Sequence, residues 1–214
     1  MEVKLLSPSW EHREQCIELL KEWKESGEEI HPGTLRRCPC IQNPILSQSK
    51  WLEWLAAEKQ QGQNLFFLIR EDGRLLGAIS IRPQEQGESL WINGHCGYGI
   101  RPSERRKGYA TRMLRMTVEI LQGQGINPVI VTCDQENIAS EKTIIHCGGV
   151  KVGEIMDPDT GGINRIFVIG DGKKVLKAAQ KSRVKAEKTK IFFQKASSGF
   201  GDVSFKERSG RFKA

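Results

Sequence analysis

The sequence predicts a mixed α/β domain with one central, mainly antiparallel sheet flanked by helices, and three observations carry that prediction. Two apolar runs, NLFFLIR and RLLGAISIR, flank Glu71-Asp72-Gly73, and an Asp-Gly turn between such runs is a hairpin signature. Residues 109–122 set Met113, Leu114, Thr117, Val118 and Leu121 on one helical face. After that helix the chain alternates strand and helix and closes on two further strands.

In chain order, residues 10–26 place Trp10, Cys16 or Ile17, Leu20 and Trp23 at helical spacing, and Gly27 offers a stop. Residues 28–46 are rich in turn formers and charges and read as a long connection holding at most a short helical turn. A second helix over about 47–60 starts after Ser47 and carries Trp51, Trp54 and Leu55. The hairpin follows. GESLWINGHCGYGIR then reads as a third strand region, about 91–100 at its core, in which Gly94, Gly97 and Gly99 mark a bulge or a close approach of backbone to ligand. PVIVTCD is a buried strand, NIASEKTIIHCGG a short helix closed by glycine, and VKVGEIM and INRIFVI a final pair of strands.

The 214 residues suit one domain with an appendage, here divided as 1–170 and 171–214. The net charge of +7 suggests nucleic acid until it is located. Residues 171–214 hold 13 Lys/Arg against 4 Asp/Glu, so the first 170 residues are close to neutral at −2. Any nucleic-acid or anionic-surface contact is therefore expected only through the tail. That tail shows no steady period; besides such a contact it reads as a solubilising extension or as the product of a shifted reading frame. No apolar run approaches a membrane span and no signal-peptide core opens the chain, so a cytoplasmic protein is expected. Six cysteines without paired spacing read as reduced thiols, with no metal site, and Cys38-Pro-Cys40 lacks the two-residue spacer of a zinc or redox motif. Asp157, Asp159 and Thr160-Gly161-Gly162 read as a hairpin turn. Adjacent His146 and Cys147 do not share a helix face and are not read as a nucleophile pair.

The strongest local signal is Ile100-Arg101-Pro102-Ser103-Glu104-Arg105-Arg106-Lys107-Gly108-Tyr109-Ala110, set between a glycine-bearing strand and an amphipathic helix. Small residues at 108 and 110 let the chain turn tightly into the helix, whose first amides have no partner within it and can meet a phosphate. Arg105, Arg106 and Lys107 add positive charge.

Here the sequence resembles the GNAT family of N-acetyltransferases. The family's acetyl-CoA loop, Arg or Gln, two free positions, Gly, one free position, Gly or Ala, is matched by Arg105, Gly108 and Ala110. The order of landmarks matches too: a fourth strand before the loop, a helix after it, a fifth strand at 128–133, Asn137 opening the next helix, and Gly148-Gly149 before an apolar strand. Within the family the run Gly97 to Ala110 is most like that of a bacterial subgroup of uncharacterised acetyltransferases.

The resemblance implies a sheet splayed between strands four and five and an acetyl-CoA-dependent N-acetyltransferase that passes the acetyl group directly to a primary amine of a small molecule or peptide. It places the pyrophosphate on Arg105 to Ala110, Tyr109 included, and the pantetheine and acetyl group on backbone near Tyr98, Gly99 and Ile100. Thr111 would add a hydroxyl, and Asn137 would face the cofactor arm. A tyrosine expected seven residues after Asn137, which would protonate the leaving thiolate, is Ile144 here. His95 is the first candidate for the base, since histidine titrates near neutral pH, with Tyr98 and Glu88 behind it; a structural role is the plain alternative for each. Glu25, Glu28 and Glu29 would attract a cationic amine and Trp23, Trp51 or Trp54 wall the pocket, unless they are solvated helix ends and core. A non-catalytic acyl-CoA sensor is the competing function, and a homodimer is left open.

Overall fold

The hairpin at Asp72-Gly73 forms as its sequence requires. Gly73 adopts φ 83°, and it joins β2 (Asn64–Arg70) to β3 (Leu75–Ile81) in an antiparallel ladder. A computed structural model of the chain describes residues 2–171 and 191–193. Around this hairpin β1 (Val3–Leu6) pairs with β2 and β4 (Cys96–Ile100) with β3, both antiparallel, which makes one four-stranded sheet in the order β1-β2-β3-β4. The second sheet takes β5 (Val129–Asp134), β6 (Val150–Met156), β7 (Ile163–Ile169) and β8 (Ile191–Phe193) in the order β5-β7-β6-β8. β8 comes from the lysine-rich segment after residue 170, the rest of which, apart from Asp171, lies outside the described residues.

Among the described residues six α-helices cover these sheets: α1 (Arg13–Ser26), α2 (Gly33–Arg36), α3 (Gln48–Gln60), α4 (Gly87–Asn93), α5 (Tyr109–Gly123) and α6 (Ile138–His146). The first three bury Cys16, Leu19, Trp23, Leu35, Trp51 and Trp54 against Phe67, Leu75 and Ala78 on one face of β2 and β3. On the opposite face α5 buries Met113, Leu114, Val118 and Leu121 with Leu76, Ile79, Val131 and Phe167, and α6 adds Ile144. β3 is thus buried along its whole length, as a strand sandwiched between helix layers must be. No helix among the described residues is long and apolar enough to cross a membrane.

Two elements differ from the sequence expectation. Residues 87–93, read as the start of a strand, form α4. Serine and asparagine at four-residue spacing support it, with Ser89 donating to Glu85 and the Asn93 amide to Ser89 Oγ at 3.1 Å. Trp91 then packs on Ile130, Ile155, Ile166 and Val168, the face of the second sheet away from α5. β1 was not expected at all: four residues at a sheet edge carry too little pattern to be read.

Candidate functional site

The two sheets meet between β4 and β5, and they meet only at one end. The His95 amide donates to Ile130 O at 2.8 Å, and the Ile130 amide donates to His95 Nδ1 at 2.8 Å. Beyond Cys96 β4 pairs with β3 alone. Because Arg101 N–H bonds Leu76 O, strand alternation turns Gly97 and Gly99 toward β3 and the peptide groups of Cys96, Tyr98 and Ile100 toward the opening. The site begins as a run of strand peptide groups that no neighbouring strand takes up, facing a gap.

At the far end of that gap lies the loop from Arg101 to Gly108. Arg106 has φ 63° and Gly108 φ 79°, both left-handed, with Lys107 between them. Successive amides in such an alternation converge on one point and form an anion nest. The first helical bond of α5 is Arg112 N–H to Gly108 O at 3.1 Å, and among the described residues the amides from Arg106 through Thr111 donate to no protein acceptor.

Buried ion pairs hold this loop. Glu104, 5% exposed, faces Arg74 at 2.8 Å, Lys107 at 3.0 Å and Arg70 at 3.6 Å. Burial alone would raise its pKa, but the hydrogen bonds from Lys107 and Arg74 win and hold it below the ordinary carboxylate value. Glu22 on α1 accepts from the Ser103 amide at 2.6 Å and from Arg101, whose guanidinium is buried. Arg105 bonds Ile100 O at 3.0 Å and Glu28 at 2.6 Å and lies 5.7 Å over the Trp23 ring. Of the three adjacent cations, Arg105 and Lys107 are thus committed to carboxylates, and Arg106 has no partner among the described residues.

The expected site residues divide accordingly. The structure gathers Tyr98, Gly99, Ile100, Arg105, Arg106, Lys107, Gly108, Tyr109, Ala110 and Thr111 along the gap and the turn that closes it, although the Tyr109 side chain is buried in the core beneath α5. Asn137 caps α6, its Oδ1 accepting from the Ser140 amide at 2.9 Å. That fixes the side chain and leaves its amide NH2 as donor. The Tyr98 hydroxyl meets Ser140 Oγ at 3.0 Å, bridging β4 to α6 across the open edge. Burial pushes the Tyr98 pKa up, the Ser140 hydrogen bond opposing it, so the phenol keeps its proton. Ile144 is fully buried.

His95, the first candidate for the base, is given a structural job instead. Its Nδ1 lone pair is taken by the Ile130 amide, so the neutral ring carries its proton on Nε2 and has no lone pair left to accept another. Burial, then the Arg82 charge, lower its pKa to about 4. Protonation therefore opposes folding: the contribution of His95 to stability is complete above the ordinary histidine value of about 6.5 and declines as pH falls toward about 4. His95→Asn, whose amide oxygen can take over the Nδ1 bond, is expected to flatten that part of the melting-temperature profile between pH 6.5 and 4, and a profile unchanged by the substitution would deny His95 this role. Glu88 sits on the exposed start of α4 and Glu25 on exposed α1, while Glu29 pairs with Arg36. Trp23, Trp51 and Trp54 are core. The Asp157 to Gly162 turn closes through Asp157 Oδ1 and the Asp159 amide at 2.9 Å.

Sequence reasoning missed Glu22 and Ser140, and it weighed Glu28 as a substrate group or a solvated helix end without finding its partner Arg105. Each acts through a contact 42 to 81 positions away, and no local pattern announces such partners.

Residues 13–150 match the model of a family described as the acetyltransferase (GNAT) domain. No curated protein sequence matches the chain. Among solved structures, the chain is similar to the microcin C7 self-immunity acetyltransferase MccE in complex with acetyl-CoA and AMP (TM-score 0.59, 16% identity, 79% of this chain and 93% of that one). It is also similar to a ribosomal-protein-S5-alanine acetyltransferase from Vibrio fischeri (TM-score 0.56, 16% identity, 79% and 92%). A spermidine N-acetyltransferase SpeG chimera of Vibrio cholerae and hSSAT gives TM-score 0.56 at 13% identity, over 82% and 99%. At these identities the structural likeness speaks to the fold alone.

Proposed function

The chain belongs to the GNAT acetyltransferase family, and on that premise we propose that it is an N-acetyltransferase that moves the acetyl group of acetyl-CoA directly onto a primary amine within a ternary complex. The observation that carries the reading is the run of partnerless amides from Arg106 to Thr111, folded as an anion nest at the helix end of a gap lined by strand backbone. The residues present suit acetyl-CoA. A pyrophosphate needs convergent donors and positive potential, which the nest, the α5 dipole and Arg106 supply. An amide-bearing arm needs an unpaired strand edge, which the Tyr98 peptide groups and the Ile100 amide supply.

Acetyl-CoA brings a thioester activated toward amines, and the protein has to orient the two reactants and steady the charges that develop. Donors fixed in β4 meet the developing oxyanion without reorganisation. Holding both reactants in one gap removes the entropic cost of their encounter. The Tyr98 phenol, kept protonated and tethered to Ser140, stands as hydrogen-bond donor to the departing thiolate in place of the tyrosine absent at Ile144. Tyr98→Phe is expected to lower kcat about 100-fold, at the low end of the usual range for proton transfer. Acetyl-CoA affinity, measured by calorimetry, should change less than about twofold, because the substitution leaves the backbone donors in place.

The reading is tested by thiol release from acetyl-CoA with full-length protein across polyamines, amino acids, aminoglycosides and lysine peptides. Release that depends on one acceptor class supports the transferase. Acetyl-CoA binding without release across the panel would favour a sensor, a reading to which the buried Ile144 lends some weight. We further propose the transferase unit as residues 1–170, in the cytoplasm, with any anionic partner of the chain held by residues 171–214.

A further inference from the structure

We propose that His31, in the connection between α1 and α2, is the general base that takes the proton from the acceptor amine; this rests on the transferase reading above. His95 cannot fill the post, since its one lone pair is spent on the Ile130 amide, and no other histidine lies against β4. His12 bonds Ser9 at the far end of α1, and His146 Nδ1 contacts Lys142 O on the outer turn of α6.

The placement of His31 follows from Gly99. A Cβ at that position would lie 2.5 Å from His31 O and 2.6 Å from the Trp23 ring, so the His31 backbone rests directly on β4, one residue from Tyr98. Gly97, next along the same face, would direct its Cβ toward Arg82 and Pro32. The 31–32 segment therefore roofs β4 on the α1/α2 side, opposite the side on which Tyr98 reaches Ser140. The His31 backbone thus covers the face of β4 opposite Tyr98, and its ring lies among Glu29, Glu28 and Arg105, the last of which bonds Ile100 O at the end of the gap. The His31 side chain is half exposed, so an amine arriving from solvent can reach it.

Its electrostatic setting suits a base. Glu29 Oε2 lies 3.5 Å from Nε2, too long for a hydrogen bond but close enough to favour the cation once formed, and Arg36 shares that carboxylate. Glu28 also favours the cation, while Arg105 opposes it. Burial, first, and Arg105, second, set the pKa below 6.5, so the ring is free base at neutral pH. In the step the ammonium nitrogen gives its proton to His31, the freed amine forms the N–C bond to the acetyl carbon, and the C–S bond breaks to leave thiolate. As the amide forms the nitrogen sheds its second proton, which replaces the one the thiolate takes from Tyr98 or water, and His31 returns the first proton to solvent.

The test compares His31→Gln with wild type in the full chain, using whichever amine of the panel gives thiol release. The expected result is a kcat lowered about 100-fold, acetyl-CoA affinity by calorimetry within about threefold, and loss of the acidic limb expected in wild-type kcat/KM below pH 6.5. The variant should recover as pH rises toward the pKa of the amine itself. Independently of turnover, the His31 ring resonance in NMR should titrate below 6.5, and should broaden or shift when the amine joins the acetyl-CoA complex. A variant that keeps the acidic limb and a rate within threefold overturns the assignment to His31 and leaves the transferase standing. A wild-type protein that releases no thiol with any amine overturns the transferase reading and this assignment together. Loss of acetyl-CoA affinity in parallel with rate overturns it in favour of a structural role for the 31–32 segment.

Discussion

Gly108→Val is expected to abolish measurable acetyl-CoA binding while leaving the protein folded. Gly108 sits at φ 79°, where a β-branched residue is strained by about 1–2 kcal/mol, yet a Cβ there would meet nothing within 4 Å. The fold therefore bears only the backbone term. The nest bears much more, because relieving the strain rotates the peptide groups on either side of 108 and disperses amides that must converge on one anion. An affinity loss of about 100-fold or more, some 3 kcal/mol, corresponds to losing two charge-assisted hydrogen bonds. Gly62→Val is the internal control: φ is 77°, the space is equally open, and the position lies at the end of α3 away from the gap. Both variants should melt a few degrees lower, and only Gly108→Val should lose binding by calorimetry. Equal affinity in the two would place the phosphate somewhere other than this turn.

How much of this could be read from the chain depended on how local each cause is. The Asp-Gly turn, the Ser47 cap, the glycine stop at Gly27 and the amphipathic α5 are decided within a few residues, and the structure shows each of them. The turn proposed to hold the phosphate was legible as a turn for the same reason: the backbone needs of an anion nest are written in Arg105 to Ala110 themselves. α4 was misread because Leu90, Trp91 and Ile92 form a continuous apolar run, which suits a strand or a buried helix equally. What settles it is Trp91 against β5, β6 and β7, residues 38 or more positions downstream. His95 looked like a base because it adjoins a glycine-rich strand, and nothing nearby reveals that the Ile130 amide consumes its lone pair. Glu28 and Glu29 could be read as bait for a cation or as a solvated helix end, and neither reading foresaw that Arg105 and Arg36 hold them. The side of the gap proposed for the acceptor is assembled from such distant pairings, and there local reasoning reached least.

The glycines of the fourth strand show the same limit in one stretch of chain, and they yield the largest expected loss of stability. As sequence, Gly94, Gly97 and Gly99 are one signal for a bulge or a ligand. In the structure they do different work. A Cβ on Gly94 would lie 3.0 Å from Ile130 O, 3.1 Å from Thr132 N and 3.2 Å from Val131 Cα, all backbone of β5, and φ is +66°. Gly94 is thus the point at which the two sheets touch, locked further by Arg82 donating to Gly94 O at 3.1 Å and to Asn93 O at 2.6 Å. A Cβ on Gly97 would meet the end of the flexible Arg82 side chain at 3.7 Å and Pro32 Cβ at 3.9 Å, both ordinary contacts. Gly94→Val should therefore cost about 3–4 kcal/mol, combining left-handed strain with overpacking against backbone that cannot move aside. For a domain of this size that lowers the melting temperature by about 10 °C. Gly97→Ala should stay within about 1 °C of wild type, since its Cβ makes ordinary contacts. The loss at Gly94 should also reach acetyl-CoA binding at temperatures where the variant remains folded. The width of the gap beyond Cys96 is set by where β4 and β5 still touch, and prying them apart at 94 turns the peptide groups of Tyr98 and Ile100 away from a common ligand. If Gly94→Val instead melts with Gly97→Ala, the sheets are held together by their helices, and the junction at His95 and Ile130 does not set the geometry of the site.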